Sequence, residues 1–139
     1  TFANSILTID LASNRLIIET EASASRKLRK FQKIPSVFAT GAGGQELLLL
    51  IPFFNKHPYW FLFDSGNLDA FTFSINTAKE WGIDTSGSAP INVEVPFLEK
   101  RLNMAATVKN IIYDGAVNYA FISQRVYMID FKKRELWCR

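Results

Sequence analysis

The chain has 139 residues, 48% of them hydrophobic and 12 of them Phe, with a formal net charge of +3. That size and composition suit one globular domain with a real core, and they exclude a disordered chain. A single cysteine, Cys138, rules out an intrachain disulfide and a cysteine metal cluster, and any histidine-containing metal site would rest on His57 alone.

The basic residues gather at Arg26, Lys27, Arg29, Lys30 and Lys33, and again at Lys132, Lys133 and Arg134. No aromatics interleave with them as base-stacking platforms, so nucleic acid is not an expected partner. The longest apolar run, Leu47 to Phe54, is broken by Pro52 and far too short to span a bilayer, so no membrane segment is expected.

In chain order, "ILTIDLASNRLII" (6–18) reads as a β-hairpin with two apolar, β-branched arms and a turn at "ASN". Residues 19–33 are charged and small, and read as a linker or exposed arm with room for a short helix. Val37 to Thr40 and Glu46 to Phe53 read as strands around "GAGG" (41–44). That glycine run is not a phosphate loop, because no Lys-Ser/Thr pair follows and it leads into a strand. His57 sits in the turn-like "NKHP"; Tyr59 reads as core or subsite wall, with exposure around this turn as the alternative for Phe53, Phe54 and Tyr59. Tyr59 to Phe63 and Phe71 to Ile75 read as strands, and Asn76 as the cap of a short helix ending at Gly82. After the polar loop 84–90, Ile91 to Phe97 alternates as a half-buried strand does, and Leu102 to Ile112 supplies one or two more. Ala116 to Arg125 reads as a second short helix, and Val126 to Cys138 as a closing hairpin through "KKR".

One internal match stands out. With an offset of 120, "ILTIDLASNRLII" falls on "VYMIDFKKRELWC" (126–138), matching Ile9 with Ile129, Asp10 with Asp130 and Leu16 with Leu136. The spacing is one domain length. Either residues 1–18 are the tail hairpin of a preceding copy of the domain, or one domain carries two similar edge hairpins.

"YWFLFDSGNL" (59–68) runs a strongly apolar strand into Asp64. A carboxylate there is costly to bury without partners. It either opens a surface turn or is held for chemistry. Backbone amides around Gly66, together with Ser65, suit an ionised carboxylate acting as general base on water. A base of this kind needs an acid beside it, and two carboxylates sharing one proton supply both roles. No second strand-to-"DSG" site exists in the chain, so such chemistry requires a second copy.

"FLFDSGN" (61–67) and the distal "YDGAVNYAFISQRVYMIDFKKRELW" (113–137) together resemble the retropepsin-like aspartic proteases, the half-size relatives of pepsin. The resemblance covers roughly residues 35 to 139. It implies an all-β fold, a closed acid-protease-like β-barrel lobe with one or two short helices. The protease domain expected is then 34–139, with 19–33 as a linker or arm, and 1–18 as the tail hairpin of a preceding copy if the internal match marks a repeat. Asp64 would be the catalytic carboxylate. Ser65, Gly66 and Asn67 would support its loop, while Ala116, Val117 and Asn118 would pack against it. A flap would lie between Trp81 and Met104 with Gly87 near its tip. The partners implied are a peptide or protein substrate and a second lobe, from a homodimer or an upstream copy. The resemblance implies no metal or cofactor. Asn67 stands where the family has Ala or Ser, and Asn118 where it has Gly, so a catalytically silent domain for peptide binding or assembly stays open as the alternative.

Overall fold

A computed structural model describes residues 4–41, 44–52, 57–87 and 89–139. The centre of the "GAGG" turn, Phe53, Phe54 and the first half of the "NKHP" turn fall outside these residues.

The first hairpin pairs β1 (Ile6–Asp10) with β2 (Arg15–Glu19). Alternation sends Leu7 and Ile9 into the core and Thr8 and Asp10 to the other face. The turn is built by Asp10: its Oδ1 accepts the Ser13 amide at 3.1 Å and its Oδ2 meets Arg15 at 2.7 Å. Asn14 closes the turn at φ 51°, in the left-handed region that Asn tolerates.

Residues 19–33 carry more than an arm. Thr20 accepts the Ser23 amide and Ser23 Oγ accepts the Thr20 amide, a capping box that starts α1 (Glu21–Leu28). Glu19 fixes this helix to the sheet, since its carboxylate receives Lys27, Ser23 and Thr8. β3 (Gln32–Ile34) then pairs with β12 (Glu135–Cys138), which forms the closing hairpin with β11 (Tyr127–Asp130). The five-stranded sheet has the order β2-β1-β11-β12-β3.

The second sheet holds β4 (Ser36–Gly41), β5 (Gly44–Pro52), β6 (Pro58–Phe63), β7 (Phe71–Ser74), β8 (Ile91–Phe97), β9 (Lys100–Lys109) and β10 (Gly115–Val117). Its order is β4-β5-β6-β10-β7-β9-β8, with β6/β10 and β7/β9 parallel. Phe61, Phe71, Phe73, Phe97 and Phe121 are buried in one aromatic cluster, each fully burying a side chain worth roughly 2–3 kcal/mol. Tyr127 joins the two sheets, its ring 5.1 Å from Phe63 and 6.5 Å from Phe97.

The architecture is the all-β lobe that the sequence implied, with three corrections of detail. Neither sheet closes into a barrel: β4 and β8 end the larger sheet at opposite edges. Helix α2 (Ile75–Glu80) is capped by Ser74, whose Oγ accepts the Thr77 amide at 3.1 Å, so Asn76 lies inside the helix. The stretch 116–125 is not one helix. It begins as β10 and only then forms α3 (Tyr119–Ile122), which makes three helices among the described residues.

Glu19 gives this fold an acid-sensitive joint. Burial pushes its carboxyl up, but hydrogen bonds from Lys27, Ser23 and Thr8 outweigh that and hold it below the usual 4.5. A lowered folded value means that the stabilisation is present above about pH 4.5 and is lost as pH falls through the folded value. Glu19→Gln is therefore expected to cost about 1–3 kcal/mol at neutral pH. In thermal unfolding, its gap from wild type should shrink steadily below pH 4.5.

Candidate active site

Asp64 follows directly on β6, where the strand stops being apolar. Its position is set by the strand beside it. β10 runs parallel to β6, with Gly115 opposite Phe61, Ala116 opposite Leu62 and Val117 opposite Phe63. The same strand pairs antiparallel with β7, so it threads between the two strands that the Asp64 loop connects. The ladder continues one step into the loop, where the Asp64 amide donates to the Val117 carbonyl at 3.3 Å.

The threading demands a glycine at 115. A Cβ there would stand 2.0 Å from the Phe61 ring and 2.5 Å from the Thr72 carbonyl oxygen. Neither the role of Gly115 nor that of Asp114 follows from the sequence pattern. Asp114 clamps the strands: its Oδ2 accepts the Trp60 amide at 2.7 Å, and its carbonyl accepts the Ser74 amide at 2.8 Å. The visible signal was an Asp-Gly pair entering a short apolar run.

Within the loop, Asp64 Oδ1 accepts the Gly66 amide at 3.2 Å, and the Asp64 carbonyl accepts the Asn67 amide at 3.2 Å. Asp64 is half-buried, while Ser65 and Gly66 are exposed. A Cβ on Gly66 would lie 3.5 Å from Asp64 Oδ1, an ordinary contact, so nothing within this lobe obliges that position to be glycine.

The two asparagines that depart from the family pattern both hold the loop. Asn67 Oδ1 accepts the Asp69 amide at 3.0 Å, and its carbonyl accepts the Tyr119 amide at 2.9 Å. Asn118 is buried. Its Nδ2 donates to the Asp69 carbonyl at 2.5 Å and its Oδ1 accepts the Phe121 amide at 3.1 Å, which caps α3. Its side chain is thus spent on the loop's far end and the helix start.

Asp64, Gly66, Asn67 and Ala116 come together around an open hollow of about 640 Å³, walled further by Leu62, Thr72, Lys109, Ile111, Ile112 and Tyr113. Among the described residues, Asp64 is the only carboxylate on that wall. Beside it, the Tyr113 hydroxyl bonds Glu46, which raises the Tyr113 pKa. Gly87 is not part of the hollow; it sits exposed between α2 and β8. The hairpin within 81–104 is β8–β9. It turns at Leu98 (φ 54°) beside Arg125 and Arg139, away from the hollow's walls.

An Asp loop leaving one strand, held by a parallel strand that threads back beside it, belongs to the retropepsin-like fold. The comparison with solved structures agrees. A retropepsin-like aspartic protease from Rickettsia conorii superposes with a TM-score of 0.54 over 77% of this chain and 92% of that chain, at 18% identity. At that identity the likeness is one of fold. No protein-family model and no curated protein matches the chain.

Two substitutions test this geometry. Gly115→Ala forces a methyl into Phe61 and the Thr72 backbone, and is expected to cost 1–3 kcal/mol or more, read as a lower denaturation midpoint. Asn118→Ala removes a helix cap and the tie to Asp69, with an expected loss of about 1–3 kcal/mol. Amide exchange in 64–70 should accelerate along with it.

Proposed function

We propose that this lobe is one half of an aspartic endopeptidase that hydrolyses peptide bonds with a water held between Asp64 and a second carboxylate. The observation that carries the reading is Asp64 itself. It is half-buried at a strand end, its loop is tied down at both sides, and its carboxylate borders an open hollow within a retropepsin-like fold. A lone carboxylate cannot serve as base and acid in the same step. Two at close range share a proton, so one takes the water's proton while the other polarises or protonates the carbonyl oxygen as the tetrahedral intermediate forms. The second Asp comes from a paired lobe, whether a homodimer mate or an upstream domain copy. Ser65 and Gly66, exposed here, face that partner, while Asn67, Ala116, Val117 and Asn118 hold the loop. The flap that the resemblance puts around Gly87 would have to move onto the hollow to cover an extended peptide, since Gly87 does not line it, and the reaction calls on no metal or cofactor.

A specific observation favours a second reading. Asn118 fills the place of the family's glycine with a buried side chain, which suits a lobe that keeps the fold for peptide binding or assembly without turnover.

Cleavage of an unfolded protein substrate separates the two. Full-length wild-type protein is expected to cleave at mildly acidic to neutral pH, and Asp64→Asn to lose about 10²–10⁴-fold or more. Wild type and Asp64→Asn that bind the substrate equally and cleave nothing would establish the silent domain instead.

A further inference from the structure

The two outer hairpins obey a symmetry that their surroundings do not. β1 lies antiparallel to β11 with Thr8 opposite Met128, Leu7 opposite Ile129 and Ile9 opposite Tyr127. Shifting residue numbers by 120 carries the first hairpin onto the second. Under that shift the Thr8–Met128 pair maps onto itself, and Leu7–Ile129 maps onto Ile9–Tyr127. A local two-fold axis therefore passes between Thr8 and Met128. The turns follow it too. Asp130 Oδ1 accepts the Lys133 amide as Asp10 Oδ1 accepts that of Ser13, and Arg134 at φ 55° answers Asn14 at φ 51°.

What covers the hairpins breaks the symmetry. β12 carries β3 on its outer edge, with Ile34 opposite Leu136, and both Leu136 and Cys138 are 0% exposed. Their counterparts on β2, Leu16 and Ile18, are 59% and 65% exposed, and β2 is the last strand of its sheet. Leu16 lies opposite Ile9 and Ile18 opposite Leu7, so both belong to the sheet face that packs on the core. The opposite face is taken by α1, bound to Glu19. One half of the core-side face is filled by this lobe, and the other half is bare.

We infer that a second lobe of the same fold packs on the bare half, covers Leu16 and Ile18, and lays a strand along β2 as β3 lies along β12. The Thr8–Met128 axis is then the axis between lobes, and β1–β2 is the closing hairpin of that second lobe, carried on the same polypeptide ahead of β1. This resolves the choice left open above. In a symmetric dimer of identical lobes, the partner's closing hairpin would have to pair along the inner edge of β11, and β1 already occupies that edge. The partner strand, by analogy with β3, is short and turns one aliphatic side chain inward after polar residues, as Ile34 does after Gln32 and Lys33. The inference uses the proposed function only to say why two lobes should pair; the symmetry and the bare apolar edge stand without it.

Hydrogen exchange on the full-length polypeptide tests it, with the 139-residue chain and a Leu16→Lys/Ile18→Lys full-length variant alongside. Both residues are exposed within this lobe, so the substitutions leave its own core intact. Peptides covering 15–19 are expected to exchange at least about tenfold more slowly in the full-length protein than in the 139-residue chain, and the double variant to lose that protection. Equal exchange in both proteins, a full-length polypeptide without such a lobe ahead of Thr1, or a stable symmetric dimer of the 139-residue chain would overturn the inference. The outcomes separate it from the function proposed above. Protected β2 with no cleavage sinks the protease reading alone, and cleavage with unprotected β2 sinks the inference alone.

Discussion

Everything at the candidate site depends on β10 passing between β6 and β7. This strand is three residues long, yet it bonds to both neighbours and reaches the Asp64 amide through Val117. A short strand buried on both sides needs neighbours that leave it room, and Phe61 leaves Gly115 room only for hydrogen. Asp114 then closes the entry to the crossing by bonding Trp60 and Ser74. The loop from 64 to 70 is consequently suspended from fixed points: Val117 at its start, Tyr119 and Asn118 further along. The carboxylate stays at the mouth of the hollow because the backbone around it has nowhere else to bond.

Period-two alternation made the edges of the fold legible. The Ile91–Phe97 strand, the strand ahead of Asp64 and the last strand read correctly because alternate residues along each are more buried, and the first hairpin read correctly from its apolar, β-branched arms and turn residues. The crossing was not legible. Gly115–Val117 is too short and too evenly buried to show a period, and it merged with the helix that follows. The cap of α2 slipped for a related reason: Ser74 closes a strand and opens a helix at once, and only the Thr77 contact reveals the second role. Asp64 was visible as a carboxylate out of place. The tethers that hold it come from residues some fifty positions away in sequence, which no local pattern displays.

The asparagines change meaning once placed. In sequence, Asn67 and Asn118 are departures that suggest crowding. In the structure each satisfies polar backbone that the loop would otherwise leave open, and together they reach Asp69 from two sides. The internal match changes as well. Its two matching Asp positions are turn acceptors, and its outer apolar positions are buried on the closing hairpin, at Leu136 and Cys138, but bare on the first, at Leu16 and Ile18.

On the proposed function, a fold that holds one carboxylate at an open hollow, beside a sheet with a local two-fold axis, is half of a site. The most direct measurement is the crystal structure of the full-length polypeptide, read for the separation of carboxyl oxygens across the Thr8–Met128 axis. The account requires a second carboxyl about 3 Å from that of Asp64, close enough for the two to share a proton. Asp64 facing solvent, or facing a lobe that offers no carboxyl, would contradict it.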